Sequence, residues 1–328
     1  MKTTAVSCSN IAFIKYWGNR DNLRRVPLND SLSMNLDHAT TTTTVAFDAK
    51  LENDRVIIGG AELENAAPAA ARVIAQLDRV RALAKIETKA RVASKNNFPT
   101  GAGIASSASG FAALTFAAAR AAGLELSELE LSVLARQGSG SAARSIPPGF
   151  VELLTSWESN RSHARSVAPP EHWDLRDVIA IVNADEKTVG STEGHHAAQT
   201  SPFLPERLNA LPPRFHRVRR AILAKDLPAL GSAIEEEAIE LHSIAMTSRP
   251  PIFYWMPGMV RVIQAALKWR AEGLAVYFTL DAGPNVHLIC EAKDVEQVEK
   301  LTRTISDVKD VLVNAPGGAA KLGTTHLF

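Results

Sequence analysis

The 328-residue chain has only two cysteines, Cys8 and Cys290, far apart in sequence. Two thiols so placed match neither a metal-ligand spacing nor a disulfide framework, and reduced thiols in or near the core suit the cytoplasm. A dominant charge is also missing, because 36 Lys and Arg stand against 35 Asp and Glu. No broad field draws in nucleic acid or an anionic membrane, so an anionic ligand must be caught locally. The opening residues MKTTAVSCSNIAFIKYW lack the uninterrupted apolar block and small-residue cleavage site of an export signal. The longest alanine-rich run is broken by Arg120. Neither export nor a membrane span is expected. No internal repeat is visible.

What is present is ordinary for a globular protein: 46% hydrophobic and 22% charged residues, in a chain long enough that one core usually splits into two. Residues 40–47, TTTTTVAF, read as a strand, and RVIIGGAEL reads as a hairpin turning at Gly59 and Gly60. Val73, Leu77, Val80 and Ala84 recur at helical spacing over 67–84. KARVAS at 89–94 is a short strand, and 104–123 is an alanine-rich buried helix. A further helix covers 127–137, with Ser127 and Glu130 at capping-box spacing. Around 156–175 polarity rises, two prolines adjoin and periodicity fades, which marks a domain junction. The expected organisation is α+β throughout, with one domain over 1–170 and a second over 171–328. In the second, DVIAIVNA is a buried strand, 215–247 holds helices, 259–272 is an amphipathic helix, and LAVYFTL, DAGP and NVHLICEA read as strand, turn, strand. A last helix near 294–306 precedes VLVNAPGG.

The segment PTGAGIASSASG at 99–110 runs straight into the alanine-rich helix. Glycines let a backbone approach a ligand closely, and the first turn of a helix presents unpaired N–H groups at the positive end of its dipole. Together with the hydroxyls of Ser106, Ser107 and Ser109 this favours phosphate, although the Walker lysine is absent and a serine-capped helix start would look the same. Gly101, Gly103 and Glu125 imitate a dinucleotide fingerprint. The imitation is partial, because KNNFPT separates the glycines from a strand too short and polar to be the usual buried one.

Read together, SNIAFIKYWGNRD at 9–21, NDSLSMNL at 29–36, NNFPTGAGIASSASGFAAL, GSGSAARS at 138–145 and FTLDAGPN closely resemble the mevalonate diphosphate decarboxylases. These belong to a superfamily with galactokinase, homoserine kinase, mevalonate kinase and phosphomevalonate kinase. The motifs stand in the family's order and span 9–285. The resemblance implies two α+β domains with the active site in the cleft between them, and ATP-dependent chemistry on a 5-phosphorylated mevalonate. It implies Asp281 as general base or orienting acceptor for the tertiary hydroxyl, and Lys15 as the cation that keeps Asp281 ionised. Arg144 would grip the substrate carboxylate with its planar fork, while Ser139, Gly140 and Ser141 offer donors to the phosphate end. Tyr16, Ser191 and Thr192 match positions near the phosphate tail, and Ser31 and Ser33 pack close by. On the nucleotide side Asn97, Gly101, Gly103, Ser106 and Ser107 would form the phosphate loop. Mg²⁺ is expected to bridge the phosphates, with no dedicated protein cage; His195 and His196, as sequence neighbours, do not make a metal site. Members often dimerise, which sets a homodimer as the assembly expected.

One departure bears on substrate choice. Family members acting on the diphosphate usually read KYWGK, whereas this chain reads KYWGN, with Asn19 in place of a lysine. Losing a charge-assisted phosphate contact costs roughly 1.5–3 kcal/mol unless Arg20 or another base compensates. A diphosphate suffers more than a monophosphate, so 5-phosphomevalonate giving isopentenyl phosphate is the expected reaction, with the diphosphate as the alternative. A superfamily kinase that stops at the phosphorylated product and a non-catalytic nucleotide-binding homologue are the remaining readings.

Overall fold

The computed structural model describes residues 1–98, 106–183 and 189–328. Threonine-rich and alternating sequence at the N-terminus makes two long strands, β1 (Lys2–Ile14) and β4 (Ser31–Phe47), paired antiparallel from Lys2↔Ala46 to Ile14↔Leu32. A small hairpin of β2 (Asn19–Asp21) and β3 (Val26–Pro27) lies between them in sequence. β5 (Arg55–Ile58) and β6 (Ala61–Leu63) form the expected hairpin, and both turn residues take positive φ, 61° at Gly59 and 89° at Gly60, the geometry of a primed turn. α1 (Pro68–Ala84) buries Val73, Leu77 and Val80, while β7 (Ala90–Asn96) pairs antiparallel with β4 and parallel with β5. α2 (Ser106–Ala121) carries the alanines against this sheet. α3 (Glu128–Gly138) starts on the Ser127–Glu130 capping box. β8 (Phe150–Leu153) and β9 (Ala164–Ala168) extend the sheet from β4.

The remaining chain forms β10 (Leu175–Ile181), α4 (Ser191–Ala197), α5 (Leu204–Ala224), α6 (Leu227–Thr247), α7 (Pro257–Ala271), β11 (Val276–Thr279), β12 (Val286–Glu291), α8 (Val295–Arg303), β13 (Asp310–Asn314) and β14 (Lys321–Gly323). Four of these strands make a second, antiparallel sheet in the order β11-β12-β10-β13. Largely antiparallel sheets with helices packed on them are the α+β class expected. Among the described residues, no helix is long and apolar enough to cross a membrane.

Two details depart from the sequence reading. α5 begins at Leu204 and passes through Pro212 and Pro213, because Leu204, Arg207, Leu211, Arg214, Phe215 and Val218 form one buried stripe whose packing outweighs the lost hydrogen bonds. The last strand, β14, pairs with β1 at Thr4↔Gly323 and Val6↔Lys321, so the end of the chain returns to the first sheet rather than remaining with the second.

The sheets share a core. Val178, Ala180, Val286 and Leu288 face Val262 and Val298 of α7 and α8, while Ile179 and Ile289 on the opposite face join Ile11, Phe13, Leu32 and the helices α5 and α6. Within that shared core Glu237 of α6 is fully buried and holds Arg207 and Arg214 of α5, each at 2.6 Å. Its Oε1 also accepts the backbone N–H of Lys15 at 3.0 Å. Breaking a buried ionic cluster leaves charges uncompensated in low dielectric. Glu237→Ala is expected to lower unfolding free energy by about 3–5 kcal/mol, read from urea denaturation midpoints; a loss below about 1 kcal/mol would show the arginines relaxing to solvent.

Candidate active site

β1 delivers Lys15 just past its last residue, buried to 2% exposure. The ammonium donates to the Ala12 carbonyl at 2.5 Å and to Asp281 Oδ1 at 2.8 Å; the Lys15 carbonyl accepts from Asn29 Nδ2 at 3.0 Å. Asp281 sits in the turn between β11 and β12, where a short loop on two paired strands fixes a carboxylate. Burial pushes the Asp281 carboxyl up, but Lys15, His287 and Arg144 outweigh it and hold it below the ordinary carboxylate value. It therefore stays ionised at neutral pH, able to accept a proton or a hydroxyl hydrogen bond.

Arg144 is equally buried, and three neutral groups hold its fork: Ser33 Oγ at 3.0 Å from Nε, Ser31 Oγ at 2.7 Å from Nη1 and Asn10 Oδ1 at 3.2 Å from Nη2. Ser31 and Ser33 are two apart on β4, hence on one face. Burial pushes the guanidinium down to about 10, still protonated at neutral pH. The GSGS segment before it divides its labour. A Cβ on Gly138 would lie 2.3 Å from Phe111, and one on Gly140 only 2.1 Å from the Tyr16 ring, so both glycines are sterically required. Ser139 and Ser141 between and after them line the cavity.

That cavity, about 650 Å³, is lined by Lys15, Asp281, Arg144, Tyr16, Ser191 and Thr192 among others, so these sequence-predicted residues converge. Ser106 and Ser107 at the start of α2 line it too, with Ser139 Oγ donating to Ser107 Oγ at 3.4 Å. Asn97 does not; its carboxamide bridges the Thr40 N–H at 2.7 Å and the His38 carbonyl at 2.9 Å, tying β7 to β4. Gly101 and Gly103 lie outside the described residues. No group of three His, Cys, Asp or Glu side chains able to hold a metal occurs among the described residues.

Tyr16 packs against His195 at 4.2 Å between ring centroids, and burial pushes its hydroxyl up to about 12 against the nearby Arg25, Arg136 and Arg144 charges. The hydroxyl donates to Asn19 Oδ1, and Asn19 Nδ2 donates to Asn22 at 3.0 Å. Asn19 is thus occupied in bracing Tyr16 and does not line the cavity. Arg20 points elsewhere, 3.8 Å over the Trp157 ring. Sequence reasoning missed Arg25 and Arg72, which do line the cavity. Neither makes an ion pair among the described residues. The only signal for Arg25 was the extra cation in NLRRVP; Arg72 lay within a helix read for its apolar stripe.

The architecture is that of the small-molecule kinase superfamily: two α+β halves meeting at a cavity lined with hydroxyls and cations. Residues 7–168 match the family model for the diphosphomevalonate decarboxylase-like N-terminal domain, and residues 177–318 match the mevalonate 5-diphosphate decarboxylase C-terminal domain. The chain belongs to the diphosphomevalonate decarboxylase family. It is 38% identical over 307 residues to the human diphosphomevalonate decarboxylase, covering 86% of this chain and 75% of that one. It is 34% identical over 301 residues to the Haloferax volcanii phosphomevalonate decarboxylase, covering 92% and 91%. A solved structure described as MDDEF in complex with MVAPP, AMPPCP and magnesium superposes with a TM-score of 0.92 at 36% identity, covering 99% of both chains.

His242 of α6, also buried, approaches the same pair from behind. Burial first, then the Lys15 charge, push its imidazole from 6.5 down to about 4, despite a hydrogen bond with the Asp281 backbone. The unfolded chain therefore takes up a proton below pH 6.5 that the folded chain refuses until about pH 4. Stability should fall as pH drops through that window, with a slope of up to about 1.4 kcal/mol per pH unit. Denaturant titrations across it check this, and His242→Gln should flatten the slope; the Asp281 contribution is lost only at lower pH, below its ordinary 3.8.

Proposed function

We propose that this protein is an ATP-dependent decarboxylase of a 5-phosphorylated mevalonate, cytoplasmic, and active on 5-phosphomevalonate in preference to the diphosphate. The observation that carries it is the convergence of Lys15, Arg144 and Asp281, from three distant segments, on one cavity beside the Ser106 and Ser107 hydroxyls. The family relatives named for these two substrates support the same chemistry. A homodimer is the assembly inherited from the resemblance, to be checked by light scattering.

In this reading Arg144 holds the substrate carboxylate. Its fork is already oriented by Ser31, Ser33 and Asn10, so little order is lost on binding. Asp281 faces the tertiary hydroxyl and takes its proton or aligns it, while Lys15 keeps the carboxylate ionised and balances charge as the oxygen attacks the γ-phosphorus of ATP. The P–O bond to ADP breaks as the new one forms. The tertiary phosphate then leaves, the bond to the carboxylate breaks, and its electron pair becomes the new C=C bond as carbon dioxide departs. Ser106, Ser107 and Ser139 offer neutral hydroxyl donors to the phosphates. Among the described residues the cavity offers hydroxyls and cations but no group of three carboxylate, imidazole or thiol ligands, a lining that suits Mg²⁺ arriving with the nucleotide, where it would neutralise phosphate charge.

Asn19 supports the monophosphate, since its carboxamide is committed to Tyr16 and Asn22 and brings no charge. A diphosphate reading is favoured by one observation, the two cavity cations Arg25 and Arg72. Steady-state assays with both substrates, following phosphate and carbon dioxide together, separate the two. We expect the higher kcat/KM for the monophosphate; a clearly higher value for the diphosphate reverses the preference, and phosphorylation without carbon dioxide would make the protein a kinase. Asp281→Asn should cut kcat by at least about a hundredfold, the scale of general-base effects, with nucleotide binding retained. Near-normal turnover would remove Asp281 from this role.

A further inference from the structure

The β2–β3 hairpin that carries Asn19 also carries Arg25, immediately before β3. Arg25 adopts φ 51°, the left-handed region that a residue with a Cβ avoids unless its surroundings fix it. Its half-buried side chain reaches into the cavity, where Nη1 is 3.5 Å from Thr192 Oγ1 on α4. No carboxylate pairs with it among the described residues; Arg72 across the cavity lining is likewise unpaired and feels the Arg25 charge as repulsion. Glu193, on α4 beside Thr192, is the neighbouring cavity carboxylate besides Asp281, and Asp281 is already neutralised by Lys15. A cation held toward a cavity, next to a hydroxyl and another cation, is half of an anion site.

We propose that Arg25 determines recognition of the 5-phosphoryl end of the substrate: its guanidinium, with the Thr192 hydroxyl, takes the terminal phosphate oxygens. Asn19, on the same hairpin, stays committed to Tyr16 and Asn22. The role of Arg25 rests on the proposed function for the identity of the ligand, and on the geometry alone for the anion site.

The test compares wild type, Arg25→Leu and Arg25→Lys with both phosphorylated substrates, alongside nucleotide affinity and circular dichroism. Loss of one charge-assisted phosphate contact should raise KM for the preferred substrate about 10–100-fold in Arg25→Leu. The kcat and nucleotide affinity should change by less than about threefold, since Arg25 binds a remote group equally in ground and transition states. Arg25→Lys should recover most of the loss. A KM within about twofold of wild type in a folded Arg25→Leu, or a loss confined to kcat, overturns the assignment. If wild type turns over neither substrate, the proposed function fails, and pyrophosphate binding by calorimetry then decides the anion site by itself. Weakening in Arg25→Leu upholds it, and unchanged binding rejects it.

Discussion

Lys15 and Asp281 are 266 positions apart and meet at 2.8 Å across the junction of the two sheets. Two charges taken out of water repay their desolvation only when geometry is tight and every remaining donor and acceptor is used. The structure supplies that tight geometry from several sides while leaving Asp281 able to accept one more hydrogen bond. Ala12 and Asn29 hold the Lys15 backbone and ammonium, Glu237 takes its N–H, and His242 contacts the Asp281 backbone. Since α6 provides both Glu237 and His242, and the same helix fills the core between the sheets, the joint between the two halves and the support of the ion pair are one piece of packing.

Around that pair the cavity wall is shaped by where side chains are missing. Gly140 admits the Tyr16 ring and Gly194 the Trp17 ring, whose Cζ2 and Cη2 would lie within 2.6 Å of an added Cβ. The two aromatic rings then pin His195 between them, and His195 Nδ1 accepts the Gly18 N–H at 2.9 Å. Arg144 shows the complementary device. Neutral hydroxyls and an amide fix its geometry without cancelling its charge, which a carboxylate partner would have done. Its positive charge is thus kept for a ligand.

Much of this was legible in the sequence. Period-two runs, Gly59-Gly60 and the Ser127–Glu130 box follow from local rules, and each corresponding element stands within a few residues of its expected place. Ser31 and Ser33 illustrate what local rules leave open, because NDSLS reads equally well as a strand-entry turn until Arg144 is seen beside it. α5 starts at Leu204, ahead of the helices expected over 215–247, because the packing of its buried stripe carries it through Pro212 and Pro213. β14 was invisible for a different reason: its partner lies more than 300 residues upstream, and KLG has too little pattern to announce a strand. Arg25 and Arg72 were missed because a surface arginine and a cavity arginine are written alike. What tells them apart is three-dimensional: Arg25 and Arg72 both line the cavity without a carboxylate ion-pair partner among the described residues.

That absence has an energetic meaning for the cavity as a whole. Arg144 and Arg72 are each pushed down to about 10, chiefly by burial, and Arg72 further by Arg25. Both remain charged at neutral pH, so the folded protein bears the desolvation of both cations and the repulsion between Arg72 and Arg25, neither of which has a carboxylate ion-pair partner among the described residues. An anionic ligand relieves both costs together, and more so as water leaves and the effective dielectric falls. The same arrangement discriminates by charge: a neutral analogue of the same shape relieves nothing. Net charge near zero over the whole chain then makes sense beside so cationic a site, because attraction confined to the cavity selects ligands small enough to enter it, whereas a basic surface would not.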